Sequence, residues 1–154
     1  MNEYRTNYCS ELRISDVGKE VRVAGWVETI RDLGSMMFVD LRDHYGITQL
    51  AIESEEHLEL MRKVPTESTI SVTGIVNERS NKNPNMETGE VEVVIEDIRI
   101  LGKRMKNLPF EVNTEQEVKE DLRLQYRFLD LRNEKLKNNI LLRAKILQFL
   151  RTQM

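Results

Sequence analysis

Three side chains supply equipment for one kind of chemistry. Phe38 offers a planar ring, Gln49 a primary amide and Arg31 a guanidinium, all within segments where apolar and polar residues alternate. A ring is a stacking platform worth about 1 to 3 kcal/mol per base, an amide sets a donor beside an acceptor, and a guanidinium serves phosphate or carbonyl oxygen. That set suits single-stranded nucleic acid. The polar stretch 78–89, punctuated by Pro84 and Gly89, adds Arg79, Asn81, Lys82 and Asn83. It either reaches bases or is only a solvated loop, and its length, beyond a usual hairpin connection, favours function. Other chemistries are poorly supplied. Cys9 is the single cysteine, so an internal disulfide is excluded, and with only His44 and His57 beside it there is no zinc-type ligand cluster. Both histidines read as surface residues and Cys9 as a small buried one.

The elements that must position these groups are strands. Residues 20–31 are rich in β-branched side chains without a helical stripe, with Gly25 marking a bulge or bend. Turn signals at 32–35 and 43–46 separate a second strand, 36–42, from a third, 47–52. Ser54 caps a short helix with Glu55 and Glu56 in its first turn and Leu58, Met61 and Val64 on its buried side; Pro65 stops it. A fourth strand covers 69–77, with Ile70, Val72, Gly74 and Val76 on one side, and a fifth covers 90–101. The fold class expected is mainly β: a five-stranded OB-fold Greek-key barrel with a helix between strands 3 and 4, followed by a hinge and C-terminal helices. Other small β folds share this order of elements, so order alone does not decide.

Alternation decides which side chains share a face. A second turn centred between His44 and Tyr45 pairs Leu41 with Thr48, Val39 with Leu50 and Met37 with Ile52, an apolar set fit for the barrel interior. The opposite face then carries Met36, Phe38, Asp40 and Arg42 beside Ile47, Gln49 and Ala51. A first turn centred between Leu33 and Gly34 sets Arg31 across from Met36 and Thr29 across from Phe38 on that outer face. Two readings of Phe38 stand here: a ring open to a base, or a ring covered by the connector or a helix.

Beyond the strands, 102–113 is a connector with an apolar anchor at Leu108, Pro109 and Phe110. Thr114, Glu115 and Glu117 open a helix to about Tyr126, and Asn133 caps a second whose stripe runs through Leu136, Ile140, Ala144, Leu147, Leu150 and Met154. That helix meets the terminus in phase and without a stop signal, the look of a chain cut in mid-helix. The 154 residues carry a net charge of −3, which at whole-chain level excludes a strongly basic tract for gripping duplex nucleic acid but not nucleic-acid binding as such. The balance is uneven: 121–154 hold eight basic and three acidic side chains, a net of +5, against −8 for 1–120. Two units follow from this, or a basic helix that is merely solvated. With no long apolar run and no secretory segment, the expectation is a soluble, cytoplasmic protein without a membrane partner.

The runs Gly25-Trp26-Val27, Arg31-Asp32-Leu33-Gly34-Ser35, Phe38-Val39-Asp40-Leu41-Arg42-Asp43, Gly46-Ile47-Thr48-Gln49, Asn113-Thr114-Glu115 and Tyr126-Arg127-Phe128-Leu129-Asp130-Leu131-Arg132 resemble bacterial-type aspartyl-tRNA synthetases in order and spacing. The resemblance implies a homodimeric class II ligase that activates aspartate with ATP and Mg and charges its tRNA. It implies an anticodon-binding barrel at 1–101, a hinge at 102–116 and the helical start of a truncated catalytic domain at 117–154, with no catalytic, metal or cofactor residue in the piece. By the same resemblance Phe38 stacks on the middle anticodon uracil and Gln49 and Arg31 hydrogen-bond it. Arg79 and Asn83 meet the third base, and Glu92 reads a first-position guanine, whose N1–H and exocyclic amine a carboxylate accepts. Asn77 departs from an arginine common in the family, which puts one backbone contact in doubt. Asn133 departs from a proline, which its capping ability makes tolerable. The rival expectations are a stand-alone OB module binding single strands without sequence choice, against which the acidic first 120 residues speak, and a dimerisation piece using the last helix.

Overall fold

The computed structural model describes residues 2–114 and 116–154 and divides into two compact units, 1–105 and 106–154. In the first unit β1 (Glu20–Asp32), β2 (Met37–Arg42), β3 (Ile47–Ile52), β4 (Thr69–Glu78) and β5 (Val91–Gly102) close a barrel in the order β1-β2-β3-β5-β4, with α1 (Glu55–Met61) between β3 and β4. Only β3 and β5 pair in parallel; β4 returns antiparallel to β1 and closes the sheet. This is the Greek-key connection of an OB-fold.

Alternation places the core as expected. Met37, Val39 and Leu41 face Ile52, Leu50 and Thr48 in the predicted register, and all six are buried. Leu58, Met61 and Val64 join the same cluster from α1 and its C-terminal end. The N-terminal segment also docks on the barrel. Thr6 exchanges hydrogen bonds with Arg22, and Cys9 is fully buried with its N–H donated to Asp43 Oδ2 at 2.9 Å. Burial and the neighbouring Asp43 carboxylate push the Cys9 thiol well above its ordinary pKa. His44 is exposed, in edge contact with Tyr45, whereas His57 is half-buried in α1 rather than lying at the surface.

Two details of β1 differ from expectation. Its pairing with β2 sets Arg31 across from Phe38 and Thr29 across from Asp40, two residues further along β2. The reason is Gly34: with φ of +90° it takes the first central position of a two-residue turn, which moves the centre to Gly34 and Ser35. A shift of two leaves every side chain on its predicted face. The bulge lies between Val27 and Thr29 rather than at Gly25. Gly25 serves close approach instead, since a Cβ there would lie 2.2 Å from the Arg42 carbonyl oxygen.

The second unit contains α2 (Glu120–Gln125), α3 (Arg127–Asp130) and α4 (Glu134–Gln153). The helix expected from Thr114 starts later, at Glu120. Thr114 Oγ1 accepts from Gln116 N at 3.1 Å, a local turn that competes with helix initiation, and Glu115 lies outside the described residues. Asp130 is buried and accepts from Arg123 Nε at 2.8 Å and Arg127 Nη1 at 2.6 Å. Asn133 caps α4 as expected, accepting from Leu136 N at 3.1 Å, and its Nδ2 donates to Val112 O at 2.9 Å, a bond proline lacks. The predicted stripe of α4 is not buried: every residue from 138 to 154 is exposed.

Candidate nucleic-acid interface

On the outer face of the barrel, strand pairing lines up two rows of side chains. One row runs Thr29, Asp40, Gln49, Glu92 and Asn77 through β1, β2, β3, β5 and β4; the next runs Arg31, Phe38, Ala51 and Val94. Each residue is the cross-strand partner of its neighbour, so Arg31, Phe38, Gln49 and Glu92 form one continuous patch. Phe38 is half-buried, which leaves part of its ring open, and Gln49 is buried.

The polar groups of the patch form a single hydrogen-bonded chain. Thr29 Oγ1 donates to Asp40. Arg31 grips the same carboxylate with both ends of its fork, Nη1 to Oδ2 at 2.9 Å and Nη2 to Oδ1 at 3.1 Å, and Nη2 also donates to Gln49 Oε1 at 3.0 Å. Gln49 Nε2 in turn donates to Glu92 Oε2 at 2.6 Å. A primary amide has two N–H donors and two lone pairs. One of each is used in this chain, so one N–H and one lone pair remain for an outside partner. The amide is therefore fixed in orientation, with its oxygen toward Arg31 and its nitrogen toward Glu92. Sequence reasoning set Thr29 and Asp40 on this face but gave them no role; alternation finds the face, whereas the bidentate contact depends on the β1 register.

The loop between β4 and β5 supplies the remaining two residues. Arg79 is half-buried, its backbone N–H bonded to Glu90 O at 2.9 Å and its Nη1 3.9 Å from Met86 Sδ. Asn83 is pinned by its N–H to Gly89 O at 2.9 Å, and its Oδ1 accepts from Asn85 N at 3.0 Å. The approach of chain to chain is so close that a Cβ on Gly89 would lie 1.8 Å from Asn83 O. Thr88 anchors the loop to β3 through Ile47 O at 2.6 Å. Lys82 is held by Glu78 at 2.7 Å. No described hydrogen bond joins Arg79 or Asn83 to the sheet patch.

At the opposite end of β2, Arg62 follows α1 and clasps the β1–β2 turn. Its Nε donates to Asp32 Oδ2 at 2.9 Å and its Nη2 to Gly34 O at 2.8 Å. The Arg62 guanidinium, helped by the Gly34 N–H, holds the Asp32 carboxyl below the usual carboxylate range. Among the described residues, no group of three or more His, Cys, Asp or Glu could hold a metal ion, and no helix is long and apolar enough to cross a membrane.

Residues 21–101 match the model of the OB-fold nucleic acid binding domain. The chain is 49% identical to an aspartate–tRNA ligase of Streptomyces coelicolor and 45% identical to an aspartate–tRNA(Asp/Asn) ligase of Pelagibacter ubique. Both alignments take in 100% of the chain, but only 27% and 26% of those proteins. The crystal structure of asparaginyl-tRNA synthetase from Pyrococcus horikoshii complexed with asparaginyl-adenylate superposes with a TM-score of 0.83 at 30% identity, over 96% of this chain and 33% of that one.

Proposed function

This chain belongs to the family of OB-fold nucleic acid binding domains, and we propose that it is the anticodon-reading part of an aspartate–tRNA ligase. The observation that carries the reading is the joined patch itself: an accessible ring beside an amide whose orientation is fixed and whose one N–H and one lone pair remain for a base edge. Single-stranded bases splayed from a loop are read in this way, by stacking plus hydrogen bonds to their edges.

On this reading the middle anticodon uracil stacks on Phe38 and pairs its edge with Gln49 and Arg31. Glu92 accepts from the N1–H and exocyclic amine of a first-position guanine, and Arg79 and Asn83 meet the third base. Net acidity of the first 120 residues argues that selection here rests on stacking and hydrogen bonds rather than on charge. Aspartate activation with ATP and Mg, homodimerisation and a cytoplasmic setting belong on this proposal to the complete enzyme, of which the chain spans about a quarter of the length, as it does of its curated relatives. The barrel is read as 1–101, the hinge as 102–116 and the start of the catalytic domain as 117–154.

A native-gel titration of the chain with transcribed aspartate tRNA tests the reading. Phe38→Ala should weaken binding by about 1 to 3 kcal/mol, the worth of one stacked base. Unaltered affinity in that variant would remove Phe38 from the interface.

A further inference from the structure

Gln49 is chemically ambiguous as a reader, because rotating its amide by half a turn exchanges donor and acceptor. Which base fits depends on which end of the amide is oxygen. In this structure the choice is made by neighbours. Glu92 draws the nitrogen end and Arg31 draws the oxygen end, at 2.6 and 3.0 Å.

Arg31 could not do this unaided. Its side chain is 48% exposed, and a solvated arginine of that kind samples many rotamers. It is held by Asp40, whose side chain is only 14% exposed and which accepts both arms of the fork while accepting from Thr29 on the same carboxylate. The carboxylate is thus turned toward protein donors on both oxygens, and Asp40 lies one strand away from Gln49 in the same row.

We propose that Asp40 is a positioning residue for base selection: by fixing the Arg31 fork it keeps the Gln49 amide in a single orientation, so selectivity at the Gln49 subsite depends on a residue that does not touch the RNA. Thr29 acts with it by orienting the carboxylate. The inference rests on the function proposed above, and the test separates the two.

The experiment compares the 154-residue chain with its Asp40→Asn and Asp40→Glu variants on anticodon stem-loop RNAs that carry uracil or cytosine at the middle position, alongside nitrogen relaxation of the Gln49 side-chain amide without RNA. Asp40→Asn should lower the uracil-to-cytosine affinity ratio about fivefold, the effect of one net hydrogen bond, and should mobilise the Gln49 amide. Asp40→Glu, which retains the charge, should restore part of both. A uniform loss of affinity for both RNAs with the ratio and the amide order unchanged would overturn the proposal. If wild type shows no middle-base preference yet Asp40→Asn mobilises the amide, the anticodon reading fails while the positioning role stands. Should Asp40→Asn lose the folded spectrum, Thr29→Val removes only the hydroxyl donor. It must then move the ratio and the amide in the same direction, and no movement overturns the proposal.

Discussion

A carboxylate and an amide of the same shape differ at Glu92 in charge and in hydrogen bonding: the carboxylate is anionic and only accepts, whereas the amide is neutral and would also donate. Glu92 sits half-buried beside Gln49, from which it takes one hydrogen bond, leaving acceptor capacity for two donors of a guanine edge. Glu92→Gln keeps the shape and an acceptor for Gln49 Nε2 but sets an N–H against a base donor. Preference for guanine over adenine at the first anticodon position should therefore fall by about 1 to 3 kcal/mol, read as a ratio of dissociation constants on paired stem-loop RNAs. An unchanged ratio would assign guanine reading to other residues. Phe38, Gln49 and the outer face were legible from alternation because a period of two admits only two faces. The Arg31–Asp40 fork was not legible, since it depends on the turn centre, and one glycine at positive φ moved that centre by a residue.

At the scale of elements, the β1–β2 turn and the residue after α1 are tied by charge. Arg62 depresses the Asp32 carboxyl below its ordinary value of 3.8. A carboxyl with a lower pKa folded than unfolded contributes to stability at pH values above 3.8, and that contribution fades as pH falls through the folded value. Arg62→Ala should return the Asp32 carboxyl toward its ordinary range, followed by the carboxyl carbon shift in an acid titration; an identical titration in both proteins would contradict the clasp. The strands and the start of α1 were readable to within a residue or so because turns and alternation agree there; α1 ends at Met61, short of Val64, and Ser54 stands at its N-cap without a side-chain cap hydrogen bond. The helix expected from Thr114 was misplaced because a threonine followed by acids signals either a cap or a local turn, and Thr114 Oγ1 bonds Gln116 N in the latter way. In α4 the cap was readable and the burial was not: the apolar residues span most of the helix circumference, Leu141, Leu142 and Phe149 included, so no single stripe marks a buried side.

The whole molecule joins an acidic barrel unit, 1–105, to a basic helical one, 106–154. Arg104 is anchored to the barrel, its N–H on Ser68 Oγ at 3.0 Å and its Nε on Thr66 O at 2.9 Å, while Met105 is 87% exposed and Lys106 is exposed as well. Brief trypsin digestion should spare Arg104, as mass spectrometry of the early fragments would show; early cleavage after Arg104 would mean that the anchor opens readily. The charge asymmetry was visible in the sequence. What it accompanies, the joined patch on the acidic part that we propose reads bases, emerges only once the strands lie side by side. The most direct test of that face is the ratio of dissociation constants of the 154-residue chain for aspartate tRNA and for the same tRNA with its middle anticodon uracil replaced by cytosine. A reader built from Phe38, Gln49 and Arg31 predicts a preference for uracil of about tenfold or more that persists as salt is raised. Equal affinity for the two RNAs, falling together with salt, would contradict it.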